Sequence, residues 1–240
     1  MDLGISGRVA LVTAASKGLG RAAAVAMAEE GARVAICARG ADALAEAEAE
    51  IGAHTEVLAM QADVTDPDTP RRLVEATLER FGALDIVVAN AGGPPAGRSL
   101  DVDDDQVLAA VNDNLLTSVR LVRHAVPHMR ERGWGRICLI TSSSIKQPIR
   151  TLSLSNTART GLWAWAKTAA IDLYEEGITL NLACPGSHAT DRMKQITLPD
   201  GPMGDPADFG RVVAFLCSQP AGFISGTTLL VDGARSVGLT

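Results

Sequence analysis

The chain has 240 residues, 47% hydrophobic, 21% charged and 3% aromatic, with a formal net charge of −6. That balance suits one well-buried α/β domain built from Ala, Val, Leu and Ile, and excludes disordered and collagen-like chains. A negative charge without a Lys/Arg cluster argues against a nucleic-acid surface, and no apolar run reaches the roughly 18–20 residues that span a bilayer.

Met1-Asp2-Leu3-Gly4 lacks the basic and then apolar plan of a signal peptide, so a cytoplasmic location is expected. The first strand is predicted at Arg8–Thr13, followed by a helix over Leu19–Glu30. The strand Ala32–Ala38, helix Asp42–Ile51, strand Glu56–Gln61 and helix Pro67–Phe81 come next. After them come the strand Leu84–Ala89, one long helix over Val102–Glu131 and the strand Arg136–Thr141. The chain closes with the helix Leu154–Glu176, strand Ile178–Cys184, helix Pro206–Ser218 and strand Thr227–Val231. Most of the strands are near-continuous Val/Ile/Leu/Ala runs, the pattern of strands covered on both faces. Gly31, Gly52, Gly82, Gly133 and Gly177 fall just past five of the helices, where positive φ ends a helix. The rhythm implies right-handed crossovers and a Rossmann-like, doubly wound α/β fold. Its seven-stranded parallel sheet would carry helices on both faces, with residues 1–240 forming a single domain. Cys37, Cys138, Cys184 and Cys217 are scattered with no CxxC pair, so neither a metal site nor a disulfide is expected.

The turn Ala14-Ala15-Ser16-Lys17-Gly18-Leu19-Gly20 joins the first strand to a helix. Glycines there let phosphates approach backbone N–H groups at the helix's positive end, the arrangement of a dinucleotide site.

With these features the chain resembles the short-chain dehydrogenases/reductases. The family's TGxxxGxG is matched by Thr13, Gly18 and Gly20, with Ala14 in place of the first Gly. Asp63-Val64 resembles the acid that meets the adenine ring. Asn90-Ala91-Gly92 resembles NNAG, with Ala89 for its first Asn, and Pro185-Gly186 with Thr190 resembles the PGxxxT segment that holds the nicotinamide. Val231-Asp232-Gly233 matches the last strand, with Ala234 for a usual Gly. The resemblance thus assigns cofactor contacts to Thr13, Ser16, Lys17, Gly18, Leu19, Gly20, Asp63, Val64, Asn90, Ala91, Gly92, Pro185, Gly186 and Thr190. An acid after the second strand would bind the ribose 2′-hydroxyl of NAD; here Ala38-Arg39 stands there and Lys17 in the turn, so NADP(H) is expected over NAD(H).

In the family an Asn, a Ser and the Tyr and Lys of YxxxK carry the chemistry. Asn114 matches the first, with Asn112 close by, and Ser142 the second. The Tyr position falls on Ser155 and the Lys position on Arg159, while the single Tyr of the chain, Tyr174, lies elsewhere. Tyr titrates near pH ~10 and can be tuned downward, whereas an aliphatic hydroxyl lies far outside that range. Arg keeps its charge but can grip ribose hydroxyls or a substrate carboxylate in bidentate fashion. Ser155 and Arg159 therefore suit binding better than proton transfer. Lys146 and His188 are the candidates for a replacement acid; the alternatives are a solvated loop Lys and a solvent-facing His.

The segment around 191–205, with Pro199, Gly201, Pro202 and Gly204, is shorter than the helical lid of the family and implies an open cleft, a large substrate or weak substrate selection. Trp163 and Trp165 read as packing or subunit-interface residues. Three readings follow. The first is an NADP(H)-dependent oxidoreductase with altered acid chemistry, acting on a small molecule, 3-oxoacyl-like substrates included. The second is an NADP(H)-binding protein that has lost turnover and serves as a sensor or partner subunit. The third is non-redox chemistry: halohydrin dehalogenases are similar in having Arg at the Lys position, but they keep the Tyr and lose the glycine motif, the reverse of this chain. The family's use of the fourth and fifth helices at interfaces implies a homodimer or homotetramer.

Overall fold

The computed structural model describes residues 1–194 and 201–238. Seven strands, β1 (Val9–Val12), β2 (Arg33–Ala38), β3 (Val57–Gln61), β4 (Ile86–Ala89), β5 (Gly135–Ile140), β6 (Ile178–Pro185) and β7 (Thr228–Val231), form one sheet in the order β3-β2-β1-β4-β5-β6-β7. Every neighbouring pair is parallel. The helices are α1 (Gly18–Glu29), α2 (Ala41–Gly52), α3 (Thr69–Phe81), α4 (Asp104–Val111), α5 (Thr117–Arg132), α6 (Ser153–Tyr174), the short α7 (Asp191–Lys194) and α8 (Pro206–Leu216).

The continuous apolar runs of the strands are explained by two separate cores. Val9 and Leu11 of β1 face one core with Leu73 of α3, Val122 of α5 and Leu162 of α6. Ala10 and Val12 face the other, with Met27 of α1, Leu44 of α2 and Phe209 of α8. Alternate side chains of a strand point to opposite faces, so each strand must be apolar at both parities.

Two expectations need correction. The long helix read over Val102–Glu131 is two helices joined by a π turn at Asn112–Leu116. Gly52 does not end a helix in the left-handed region: it is the last residue of α2, and the cap falls on Ala53. Gly31, Gly82, Gly133 and Gly177 do take positive φ.

At the base of the sheet Asp85 is buried, with 1% exposure. Its carboxylate accepts from the Val9 N–H at 2.9 Å and pairs with Arg8 and Arg132, both at 3.2 Å. Arg8 and Arg136 both stack on the Trp134 ring, 3.9 and 4.3 Å from its centroid. Replacing Asp85 by Ala orphans a buried N–H and leaves two guanidinium groups without their counter-ion. The expected loss is about 3 kcal/mol, which lowers Tm by roughly 6–12 °C. An unchanged Tm in thermal unfolding would refute this role.

Candidate active site

The order of the strands reverses between β1 and β4, and in such sheets a crevice opens at the carboxyl ends of those strands. Thr13, just past β1, donates through its hydroxyl to the Asn90 carbonyl at 2.7 Å and accepts from the Asn90 N–H at 2.9 Å. The Asn90 side chain donates to the Ala14 carbonyl at 3.2 Å. These bonds join the glycine turn to the Asn90-Ala91-Gly92 segment. A Cβ on Gly20 would lie 2.6 Å from both the Ala14 oxygen and Asn90 Nδ2, so only Gly fits there.

At the start of α1, Lys17 is the exposed N-cap residue; its side chain makes no capping bond, and no acid stands in the first turn. Ser16, Gly18 and Leu19 are half-buried around it. The first N–H groups of a 12-residue helix are thereby left to an outside acceptor, which fits a dinucleotide pyrophosphate. The Thr190 methyl carbon stands 3.5 Å from where a Gly18 Cβ would lie, so the Pro185–Thr190 segment folds back onto this turn. Gly186 is required by a close approach: its Cβ would meet Asp232 at 2.6 Å, which links the two motifs.

Beyond β2 and β3, Arg39 is largely exposed and lies 3.9 Å from the Asp63 carboxylate. Asp63 also accepts from the Thr65 N–H at 3.0 Å and the Thr65 hydroxyl at 2.9 Å. The Thr65 amide, its hydroxyl and the Arg39 charge hold the Asp63 carboxyl below the usual carboxylate range, against the opposing effect of partial burial. Val64 packs on the core beside it.

The two asparagines of the π turn take different partners. Asn112 donates to the Thr65 carbonyl and accepts from Arg120, so it braces the loop after Asp63. Asn114 is 2% exposed and accepts through Oδ1 from Arg159 at 3.0 Å. That bond leaves Asn114 Nδ2 buried without a partner among the described residues. Arg159 also donates to the carbonyls of Ile140 at 3.0 Å, Thr141 at 3.2 Å and Ala91 at 3.5 Å. Its guanidinium therefore joins the ends of β4 and β5 to the π turn. Burial pushes it down to about 10; the Cys184 thiol opposes this shift and the Arg192 charge adds to it. With these bonds made to the protein, the guanidinium is not presented as a free fork for a substrate carboxylate.

Ser142, the next residue after Thr141, accepts from the Ser144 N–H at 3.1 Å and caps a short 3-10 turn. Ser155 lies one helical turn before Arg159 on the same buried face of α6, with 7% exposure. Tyr174 is 19 positions further along α6, about 28 Å by helical rise, and packs edge-on against Phe223.

The two candidate replacement acids each lie against an aromatic ring. The Lys146 ammonium sits 4.1 Å from the centroid of the Trp163 ring. It lines a cleft of about 780 Å³ with Thr160, Lys167 and Thr228 that shares no residue with the cofactor edge. His188 is not solvent-facing but buried, with 5% exposure, edge-on to Phe209 at 5.1 Å. Trp163 and Trp165 both pack against the core from partly buried positions.

Residues 195–200, Pro199 included, lie outside the described residues, so only the flanks of the short lid are seen. Arg192 of α7 donates to the Pro94 carbonyl at 3.0 Å, reaching across the edge of the crevice. Arg235 in the tail donates to the Pro202 carbonyl at 3.2 Å, and the Val237 N–H donates to Gln147 at 2.9 Å. Sequence reading missed these three contacts, because the partners lie far apart in the chain and none of the three donors belongs to a motif.

A family model described as Enoyl-(Acyl carrier protein) reductase matches residues 13–234. The L-rhamnose 1-dehydrogenase (NAD(P)(+)) of Azotobacter vinelandii is 35% identical over 251 residues, covering 97% of this chain and 98% of that one. The 3-oxoacyl-[acyl-carrier-protein] reductase of Haemophilus influenzae is 32% identical over 244 residues, covering 95% and 98%. Among solved structures, L-sorbose reductase from Gluconobacter frateurii, complexed with NADPH and L-sorbose, superposes with a TM-score of 0.93. It is 30% identical, and the match covers 100% of both chains.

Ala14 and Ala234, the two alanines noted above in place of glycine, have φ of 48° and 61°; among the described residues they are the non-glycine residues with positive φ. An L-side chain pays roughly 1–2 kcal/mol there, partly offset by the lower unfolded-state entropy of Ala. The double variant Ala14→Gly, Ala234→Gly is expected to gain about 1–2 kcal/mol and roughly 3–6 °C in Tm. A lower Tm would contradict the strain.

Proposed function

This chain belongs to the short-chain dehydrogenase/reductase family of oxidoreductases, and from that premise we propose that it is an NADP(H)-dependent enzyme interconverting a carbonyl and an alcohol. The carrying observation is the Arg159–Asn114 bond, which keeps the polar frame of the chemical end assembled without the family's Tyr and Lys. The solved relative complexed with NADPH and L-sorbose and the 3-oxoacyl reductase point to small hydroxylated ketones and 3-oxoacyl thioesters as the substrates to try.

In this reading the uncapped start of α1 and the turn residues Thr13 to Gly20 hold the pyrophosphate. Asp63 and Val64 meet the adenine, and Arg39 with Lys17 receive the 2′-phosphate. Asn90, Ala91, Gly92, Pro185, Gly186 and Thr190 hold the nicotinamide half. When bound, the reduced nicotinamide supplies the hydride. Ser142 holds the substrate oxygen with a hydrogen bond from its hydroxyl, and Ser155 lines the same pocket. Asn114 and the fixed charge of Arg159 stabilise the negative charge that grows on that oxygen. With Lys146 on Trp163 and His188 on Phe209, water delivers the proton. Residues 1–240 act as one cytoplasmic domain. Exposed Ile171 on α6, Phe223 in the turn before β7 and Leu229 on β7 are apolar surface suited to a homodimer or homotetramer.

One observation favours a second reading, a cofactor-binding protein without turnover: Tyr174 lies at the far end of α6 from Ser155. NADPH oxidation over the panel of ketones and 3-oxoacyl thioesters separates the two, since tight NADPH binding with no turnover selects the second.

NADPH is expected to bind more tightly than NADH, with Arg39→Ala reducing that preference about tenfold; an unchanged preference would remove Arg39 from the 2′-phosphate site. Because no side chain serves as the acid, kcat/KM should be flat from pH 6 to 9. A titration in that window abolished by Lys146→Ala would instead make Lys146 the proton donor.

A further inference from the structure

We propose that Arg159 makes the site discriminate between the two redox forms of the cofactor, favouring the neutral reduced nicotinamide over the cationic oxidised one. The proposal rests on the reading that NADP(H) lies along the carboxyl ends of the strands. With Arg39 and Asp63 marking the adenosine side beyond β2 and β3, the other half of the dinucleotide extends over β4 and β5.

That is where the Arg159 guanidinium is fixed, by Ala91 just past β4 and by Ile140 and Thr141 at the end of β5. All of its acceptors are neutral oxygens, the fourth being Asn114 Oδ1. Among the described residues no ion pair to a carboxylate is seen for it, and the Arg192 charge acts on it with the same sign. The positive charge is therefore not cancelled locally. Burial, at 7% exposure, also shields it from salt, which otherwise screens a surface charge within about 10 Å. The Asn114 amide adds to the same sign. Arg159 holds its oxygen, so the positive end of the amide dipole, Nδ2, is the part left buried and unpartnered.

The two cofactor forms differ by one positive charge on the ring and share the rest of their contacts. Comparing them isolates that charge from the affinity of the phosphates and the adenine. A fixed buried cation on the nicotinamide side, in a medium of intermediate dielectric, would shift the comparison by about tenfold. The protein would thus bind the reduced form more tightly and release the oxidised form more readily.

The test is a pair of dissociation constants, for NADPH and NADP+, measured by calorimetry on the full chain at pH 7. The wild type is expected to prefer NADPH by about tenfold. Arg159→Met should bring the two constants within about threefold of each other, mainly by tightening NADP+, whereas Arg159→Lys should keep the preference. Because the charge is buried, the wild-type preference should persist at high salt, a measurement that serves where Arg159→Met does not fold by circular dichroism. Equal constants in the wild type overturn the proposal, as does an unchanged ratio in folded Arg159→Met or, where that variant does not fold, a wild-type preference that disappears at high salt. Failure of either form to bind overturns the cofactor reading on which it rests, a result distinct from equal binding.

Discussion

A guanidinium enclosed in a protein interior must satisfy its N–H groups with protein oxygens, because an unpaired buried donor costs about 1–3 kcal/mol and more when charged. Arg159 meets that demand by taking carbonyls from the ends of two strands and the side chain of the π turn. One side chain thus ties the ends of the paired strands β4 and β5 to Asn114 in the π turn. The demand also works in reverse. Once the oxygens at these strand ends are organised around five fork-shaped donors, a Lys with three donors on a flexible stem would satisfy them differently. The arginine belongs to the frame of the site as much as to its chemistry.

The fold was legible because its physics is repetitive. Strands covered on both faces must be apolar at both parities, and Val9–Val12 or Ile86–Ala89 show this directly. The break at Asn112–Leu116 was hidden because no Gly or Pro marks it; its cause is tertiary, the need to reach Thr65 with Asn112 and Arg159 with Asn114. Gly52 was misread because a Gly near a helix end is only sometimes the left-handed residue.

The candidate site divides along the same line. Thr13, Gly20 and Asn90 were readable because close backbone approach restricts residue type locally. Lys146 and His188 were not, since what decides their roles are Trp163, 17 positions after one, and Phe209, 21 positions after the other. Chain proximity to a motif placed both near the right loops. It carried no information about which way their side chains would turn.

The π turn between α4 and α5 has a consequence for the evolution of the chain's length. A π turn is a helix that has absorbed one extra residue, and a helix advances about 100° per residue. Deleting one residue within 112–116 would heal the helix into an uninterrupted α form. Either Asn114 or the stripe formed by Val119, Val122, Val126 and Met129 would then rotate off its target, the site or the core. The turn acts as a phase adjuster: it lets the angular position of a site residue and that of a core-packing face be chosen independently along one rod. Length changes in this helix are thereby restricted to its two ends, although its middle is where the sequence looks most ordinary.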